Sequence, residues 1–190
     1  NIGKEYVIIP FRGKYWRVKK SFSNKINHLI YPVPDLRMPF LGIHTTTLVD
    51  HTCYLGPTAF PAFGRVNYSG LDGIRVFEAI NIAKDIFNLF YQGNETGMHN
   101  LAMAEIKRFF KPWFVKSVQT MLPRIKSKHI LKSDKVGIRA QVMNKNNGKL
   151  VNDFLVKKGD DSTHILNAIS PAWTCAFPFA RYICDNYIEK

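Results

Sequence analysis

The chain has 190 residues, of which 46% are hydrophobic and 13% aromatic, which excludes an intrinsically disordered tail and allows a folded core. Its net charge is +13, but the basic residues are scattered and no zinc-finger or aromatic RNA-binding motif accompanies them, which argues against nucleic-acid binding. The longest apolar run, Ala172–Ala180, is too short to span a membrane, and early charged residues argue against a signal peptide.

The first part of the chain is predicted to form β-strands joined by short turns. The predicted strands are Val7–Val18 (a hairpin that turns at Arg12–Lys14), His28–Val33, Leu41–Leu48 and Cys53–Leu55. The last two strands are expected to pair across a turn at Asp50–His51. Consecutive strands with short connections indicate an antiparallel sheet.

The middle of the chain changes to helical periodicity. Ile74–Tyr91 is predicted to be an amphipathic helix that begins near a capping Asp72. Two more helices are predicted over Met98–Phe110 and Trp113–Met121. The apolar positions expected to pack against the sheet are Phe77, Ile80, Ala83, Phe87, Phe90 and Phe109.

The last part returns to strands and ends in a helix. The predicted elements are strands Val136–Met143, Phe154–Val156 and His164–Leu166, a turn at Asn146–Gly148, and a helix from Pro171 to about Ile188. Ser170 is the expected cap of that helix, and Pro178 should bend or break it. A basic connector, Leu122–Asp134, separates a predicted substrate-binding region, residues 1–134, from a closing region, residues 135–190. The fold class predicted is α+β, mainly an antiparallel sheet with helices packed on one side.

Several segments together resemble the L-2-hydroxyglutarate oxidase and dehydrogenase family, which belongs to the FAD-dependent amino-acid-oxidase-like (DAO) oxidoreductases. The segments, in chain order, are Phe11–Tyr15, Leu29–Asp35, Phe40–His44, Leu55–Pro57, Gly137–Gln141, Lys149–Phe154 and Leu166–Ala172. The resemblance runs along the whole chain but corresponds to roughly the carboxyl-terminal half of such an enzyme. It implies the substrate-domain part of a DAO-type flavoenzyme, with the terminal helix on the FAD side.

One feature of that family does not occur in this sequence. Family members start with a strand, a Gly-x-Gly-x-x-Gly turn and a helix that bind the FAD pyrophosphate. Gly56, Gly64, Gly70 and Gly73 have neither that spacing nor that context. We therefore expect the partner of this chain to be a missing amino-terminal FAD-binding half, and this fragment alone to be inactive.

A hydroxy-acid oxidase must bind a carboxylate, accept the hydroxyl proton and stabilise the reduced flavin, and each of these tasks has candidate residues in the sequence. Arg139 matches the substrate-binding arginine of DAO-type enzymes and could hold a carboxylate through two hydrogen bonds, although an arginine paired with an acidic neighbour would look the same. His44, at the end of the Phe40–His44 strand, is the candidate proton acceptor. A structural histidine there, with another histidine supplied by the missing half, is the alternative. Arg12 and Tyr15 flank the first hairpin as further substrate contacts, or as core residues.

The start of the last helix is the candidate cofactor site. A helix amino terminus offers N–H groups and a partial positive charge that would stabilise a reduced flavin. The resemblance implies that the FAD isoalloxazine ring lies beside Asn167, Ala168, Ser170, Pro171, Ala172, Trp173 and Thr174. An ordinary capped helix packed on the sheet is the alternative, and the histidines lack the spacing of metal ligands, so no metal site is predicted.

The resemblance thus implies hydride transfer from L-2-hydroxyglutarate, a small 2-hydroxy acid, to FAD, giving 2-oxoglutarate. Two alternatives stay open. One is a DAO-type amine or amino-acid oxidase for glycine or sarcosine-like substrates, and the other is a non-catalytic fragment or subunit that needs a separate FAD-binding chain. The expected location is the cytoplasm, with the basic surface suited to peripheral association at the inner membrane face.

Overall fold

A computed structural model of the chain describes residues 2–33, 42–92, 103, 105–170 and 172–188. The strands are β1 Tyr6–Lys14, β2 Trp16–Val18, β3 His44–Thr47, β4 Cys53–Gly56, β5 Phe60–Pro61, β6 Ile130–Leu131, β7 Val136–Asn144, β8 Lys149–Leu150, β9 Leu155–Lys158 and β10 Thr163–Asn167. The helices are α1 Lys20–Ser23, α2 Val76–Gln92, α3 Lys111–Gln119 and α4 Ala176–Tyr187. The paired strands of the described residues are all antiparallel, so the α+β class with antiparallel sheets is confirmed.

The first sheet, in the order β5-β1-β7-β8, is built on a long pair of strands. Strand β1 pairs with β7 from Tyr6 opposite Asn144 to Lys14 opposite Val136. The predicted hairpin turn at Arg12–Lys14 is therefore wrong, because the ladder with β7 keeps these residues extended. Only after Tyr15 does the chain enter the second sheet. The two strands come from opposite sides of the predicted division between residues 134 and 135.

The second sheet, in the order β3-β4-β2-β6, carries the larger core. Helix α3 covers it and buries Phe114 and Val118 completely. The sheet and the loops beside it bury Val18, Ile26, Ile43, Cys53, Leu55, Ile125 and Ile130. The predicted turn between β3 and β4 is confirmed, with the Thr52 backbone N–H donating to Asp50 Oδ1 at 2.9 Å.

The predicted strand over His28–Val33 is wrong. These residues form no ladder, and Ile30 is instead attached to one residue of β3: the Thr45 N–H donates to the Ile30 carbonyl at 3.0 Å, and the Ile30 N–H donates to Thr45 Oγ1 at 2.6 Å. Of the loop that follows, Pro34–Leu41 lies outside the described residues, as does Phe40 of the predicted strand Phe40–His44. Strand β3 lies within the predicted strand Leu41–Leu48 and confirms it over His44–Thr47, but His44 begins this strand and does not end a strand Phe40–His44.

Helix α2 confirms the predicted helix but uses the opposite face. Ile86 and Leu89 pack against the first sheet, whereas Phe77 and Phe87 of the predicted apolar face are 85% and 67% exposed. The helix is apolar on two sides, so periodicity alone could not choose between them. Asp72 is not its cap, because α2 begins at Val76.

The carboxyl-terminal part is the hairpin β9–β10 followed by α4. It is tied to the first sheet through the Val151 carbonyl, which accepts from Gln141 Nε2 at 2.8 Å and from Asn167 Nδ2 at 3.4 Å. Because α4 begins at Ala176, Ser170 does not cap it. Pro178 does not break the helix, which is continuous to Tyr187, because it lies in the first turn, where a missing N–H is harmless.

Three other features of the described residues complete the fold. Residues 105–108 are helical, whereas most of the earlier part of the predicted helix Met98–Phe110 lies outside the residues that the structure describes. The turn at Asn146–Gly148 is confirmed by Gly148, which has a positive φ of 63°. None of the described helices is long and apolar enough to cross a membrane.

Gly56, at the end of β4, fixes the approach of two chain segments. Its φ is 149°, and a Cβ there would lie 2.9 Å from both the Lys14 carbonyl oxygen and Tyr15 Cδ1. We expect Gly56→Ala to lower the free energy of unfolding by about 2 kcal/mol or more, because the backbone would have to shift. Denaturant unfolding of the complete protein measures this loss. Gly137→Ala is the control, since its Cβ meets nothing within 4 Å; equal stability of the two variants would contradict the prediction.

Candidate active site

A cavity of about 230 Å³ lies where the two larger sheets meet. It is lined by Phe11, Gly13, Tyr15, Gly42, His44, Pro57, Thr58, Ala59, Gly137, Ile138 and Arg139. The structure therefore brings together three residues that the sequence singled out separately: Tyr15, His44 and Arg139. They come from the end of β1, the start of β3 and the middle of β7.

Arg139 reaches the cavity because of its register in the first sheet. It pairs with Phe11, and Gly137 pairs with Gly13. Paired residues of antiparallel strands place their side chains on the same face. Burial lowers the pKa of His44 and raises the pKa of Tyr15, and the Arg139 charge acts on both groups in the lowering direction. Arg139 therefore lines the same cavity as these two residues.

His44 is held in one orientation. Its Nδ1 lies 3.1 Å from the Gly42 carbonyl oxygen, and its ring stacks on Tyr31 with centroids 4.6 Å apart. Because a carbonyl only accepts, Nδ1 carries the proton in the neutral ring and Nε2 carries the lone pair. Burial lowers the pKa of His44 and Arg139 lowers it further, against the Gly42 hydrogen bond, which raises it. The imidazole is thus a neutral proton acceptor near pH 7.

Tyr15 is the complementary donor. Burial raises the pKa of its phenol, the Arg139 charge acts in the opposite direction, and Tyr31 raises the pKa further. The Lys135 ammonium lies 5.1 Å from the centre of the Tyr15 ring. With its pKa raised above 10, the Tyr15 hydroxyl keeps its proton at physiological pH and can donate a hydrogen bond into the cavity.

Residues 57–59 form a wall of the cavity that the sequence did not single out as a site. The Thr58 N–H donates to the Lys14 carbonyl at 3.0 Å, and the Lys14 N–H donates to Thr58 Oγ1 at 3.2 Å. The Ala59 N–H donates at 3.0 Å to Glu105, which is buried and also paired with Arg108. Two features of the sequence could have indicated this wall. One is the Gly56-Pro57 pair after Leu55, and the other is Glu105, an acidic residue on the apolar side of a predicted helix.

Arg12 lies away from the cavity. It alternates with Phe11 and Gly13 along β1, so its side chain projects from the other face of the strand. There, Arg12 Nη1 donates to Asn67 Oδ1 at 3.4 Å. Asn67 is buried and also donates from Nδ2 to the Asp72 carbonyl at 2.7 Å. This placement supports a structural contact for Arg12.

The candidate flavin segment is largely exposed and is not among the described residues that line the cavity. Asn167 is the exception, because it is buried and its Nδ2 donates to the Asp153 carbonyl at 2.7 Å. Trp173 is 92% exposed. Ala168, Ser170 and Thr174 are also exposed, Ala172 is half-buried and Pro171 lies outside the described residues.

Comparison with known proteins gives one consistent result, although no protein-family model matches the chain. The chain is 35% identical over 187 residues to the L-2-hydroxyglutarate dehydrogenase of Salmonella houtenae, and this match covers 95% of the chain. It is 36% identical to the mitochondrial L-2-hydroxyglutarate dehydrogenase of Mus musculus, and 34% identical to that of Homo sapiens, with 96% of the chain covered each time. The chain spans about 40% of the length of these relatives.

Proposed function

We propose that this chain, which matches L-2-hydroxyglutarate dehydrogenases over nearly all of its length, is the substrate-binding part of an FAD-dependent enzyme that oxidises L-2-hydroxyglutarate to 2-oxoglutarate. The observation that carries the proposal is the meeting of Arg139, His44 and Tyr15 around one cavity. A cation, a neutral base and a neutral donor are the groups that recognition and deprotonation of a 2-hydroxy acid require.

Each cavity residue has a defined task in this reaction. The Arg139 guanidinium binds the carboxylate next to the hydroxyl group through two parallel hydrogen bonds. His44 Nε2 accepts the hydroxyl proton as the C–O bond becomes a carbonyl, and its Nδ1–H stays on Gly42. The Tyr15 hydroxyl donates to an oxygen of the substrate. Phe11 and Pro57 line the cavity as apolar surface and limit water around the reacting carbon.

FAD would accept the hydride that leaves the substrate carbon together with its bonding electrons. The residues of this chain that fit beside a flat cofactor are the exposed Ala168, Ser170, Trp173 and Thr174. Asn167 fits less well, because its amide already holds the Asp153 carbonyl. The remaining FAD contacts belong, in this proposal, to the part of the relatives that this chain does not span, and association with the inner membrane face stays a prediction.

The proposal is tested with the complete protein that contains this chain. The purified protein should be yellow and should reduce an artificial electron acceptor when L-2-hydroxyglutarate is added, with formation of 2-oxoglutarate. Glycine and sarcosine are the comparison substrates. Turnover of these amines without turnover of L-2-hydroxyglutarate would favour the amine-oxidase alternative. A colourless protein that turns over none of them would reject both readings.

The pH dependence of the reaction follows from His44. The base must be unprotonated, and burial and Arg139 lower its pKa below the ordinary value of 6.5. Protonation therefore removes activity only as the pH falls through that lowered pKa. We expect more than half of the maximal kcat/KM for L-2-hydroxyglutarate to remain at pH 6.5, and the loss of activity to be centred below that pH. An acidic limb centred above 6.5 would contradict the assignment of His44 as the base.

A further inference from the structure

Gly137 is a glycine in the cavity for which the fold itself gives no reason. It lies within β7, where glycine weakens a strand because it packs no side chain and loses more conformational entropy on folding. It is not among the positive-φ glycines of the described residues, so its backbone suits any amino acid. A Cβ built on it meets no atom within 4 Å.

Its cross-strand neighbour, Gly13, behaves differently. A Cβ on Gly13 would lie 2.7 Å from Pro57 Cβ and 3.1 Å from the Thr58 carbonyl oxygen. Gly13 is therefore required by the close packing of the cavity wall on β1. The two glycines face each other in the sheet, yet only Gly13 has a packing reason to be a glycine. A strand glycine without one is typical of a place where a ligand approaches the backbone.

The position of Gly137 indicates which part of a ligand would lie there. It is two residues from Arg139 along the same strand and on the same face, a distance of about 6.6 Å along an extended chain. Both residues line the cavity. A carboxylate held by Arg139 therefore has open space beside it, over the Gly137 backbone, in which the rest of an acid can extend.

We propose that Gly137 is a specificity-determining residue, because its missing side chain leaves the room that the carbon chain of a five-carbon hydroxy dicarboxylate needs beside Arg139. The inference rests on the proposed function and adds the length selectivity of the same site. A larger residue at position 137 would limit the cavity to shorter acids and would leave the binding of the carboxylate by Arg139 in place.

The test compares Gly137→Ala and Gly137→Val in the complete protein. The substrates are L-2-hydroxyglutarate and the three-carbon acid L-lactate, and the quantity is the ratio of their kcat/KM values. We expect Gly137→Val to lower that ratio by about 10-fold or more, because added methyl groups occupy the space of the longer chain. Gly137→Ala should lower it less, and it remains a usable variant if the valine form folds poorly.

Ala140→Val is the matched control, since Ala140 is exposed on the same strand but does not line the cavity. It should leave both the ratio and the flavin content, read from the flavin absorbance, unchanged. An unchanged ratio in both Gly137 variants, or an equal loss with both acids, would overturn the inference. Loss of flavin from the Gly137 variants alone would also overturn it, because the space would then belong to the cofactor.

Glutarate, a five-carbon dicarboxylate that cannot be oxidised at a hydroxyl group, separates this inference from the proposed reaction. Binding of glutarate is measured as the rise in melting temperature of the complete protein. If the protein oxidises no hydroxy acid but glutarate stabilises it, and Gly137→Val loses that effect, the reaction is refuted and the length selectivity stands. If glutarate stabilises neither form and no hydroxy acid is oxidised, both are refuted.

Discussion

Replacement of Arg139 by alanine is expected to lower kcat/KM for L-2-hydroxyglutarate by about 100-fold or more, or about 2.7 kcal/mol of transition-state stabilisation. The cavity would lose the cation that binds the substrate carboxylate in the proposed reaction, since Arg139 lines it together with Tyr15 and His44. Steady-state kinetics of the complete protein give this value. Arg139→Lys should recover part of the loss, because it restores the charge without the two-pronged geometry.

Arg17→Ala is the control for this substitution. Arg17 is an exposed arginine on a strand of the second sheet and does not line the cavity that contains Arg139. It removes the same charge from the molecule and should change kcat/KM little. A near-normal kcat/KM for Arg139→Ala, or a loss that Arg17→Ala reproduces, would end the assignment of Arg139 as the carboxylate-binding residue.

Replacement of His44 by glutamine is expected to lower kcat by about 100-fold, with a much smaller change in KM. Glutamine keeps the polarity of the side chain, but it cannot accept the hydroxyl proton of the substrate. The acidic limb of the pH profile should disappear in this variant, because the group that titrates there is gone. Rate measurements from acidic to neutral pH test both statements.

His164→Gln provides the comparison for His44. His164 lies on β10, where its Nε2 is 2.8 Å from Ser162 Oγ, and it does not line the cavity. Its replacement should leave kcat and the pH profile unchanged. If His44→Gln keeps its kcat, or keeps the acidic limb, then the proton acceptor is another group and His44 has a structural role.

Local sequence patterns predicted elements best where the local signal and the tertiary contacts agree. Ile74–Tyr91 is helical by periodicity and forms α2, and Asp50–His51 turns between two strands as expected. The pattern failed where a distant partner decides the outcome. Arg12–Lys14 has the composition of a turn, yet the ladder with β7 keeps it extended.

For the candidate site, residue chemistry and the resemblance suggested Tyr15, His44 and Arg139, but only the register of the sheets could bring them together. The role of Gly13 and Gly137 could not be predicted, because their importance lies in where a side chain would point. Arg12 shows the reverse case. Its charge made it a candidate, whereas the alternation of side chains along β1 directs it towards Asn67 on the other face.

The pairing of β1 with β7 also determines when the cavity can exist during protein synthesis. Strand β1 leaves the ribosome well before its partner, which follows only after α2, α3 and the whole second sheet have been made. Until then the edge of β1 that will pair with β7 has no native partner and can recruit a wrong strand. Such a distant contact makes folding slow. Arg139 therefore joins His44 and Tyr15 only after β7 has been made, and a nascent chain that stops before β7 lacks the side of the cavity that Gly137, Ile138 and Arg139 form.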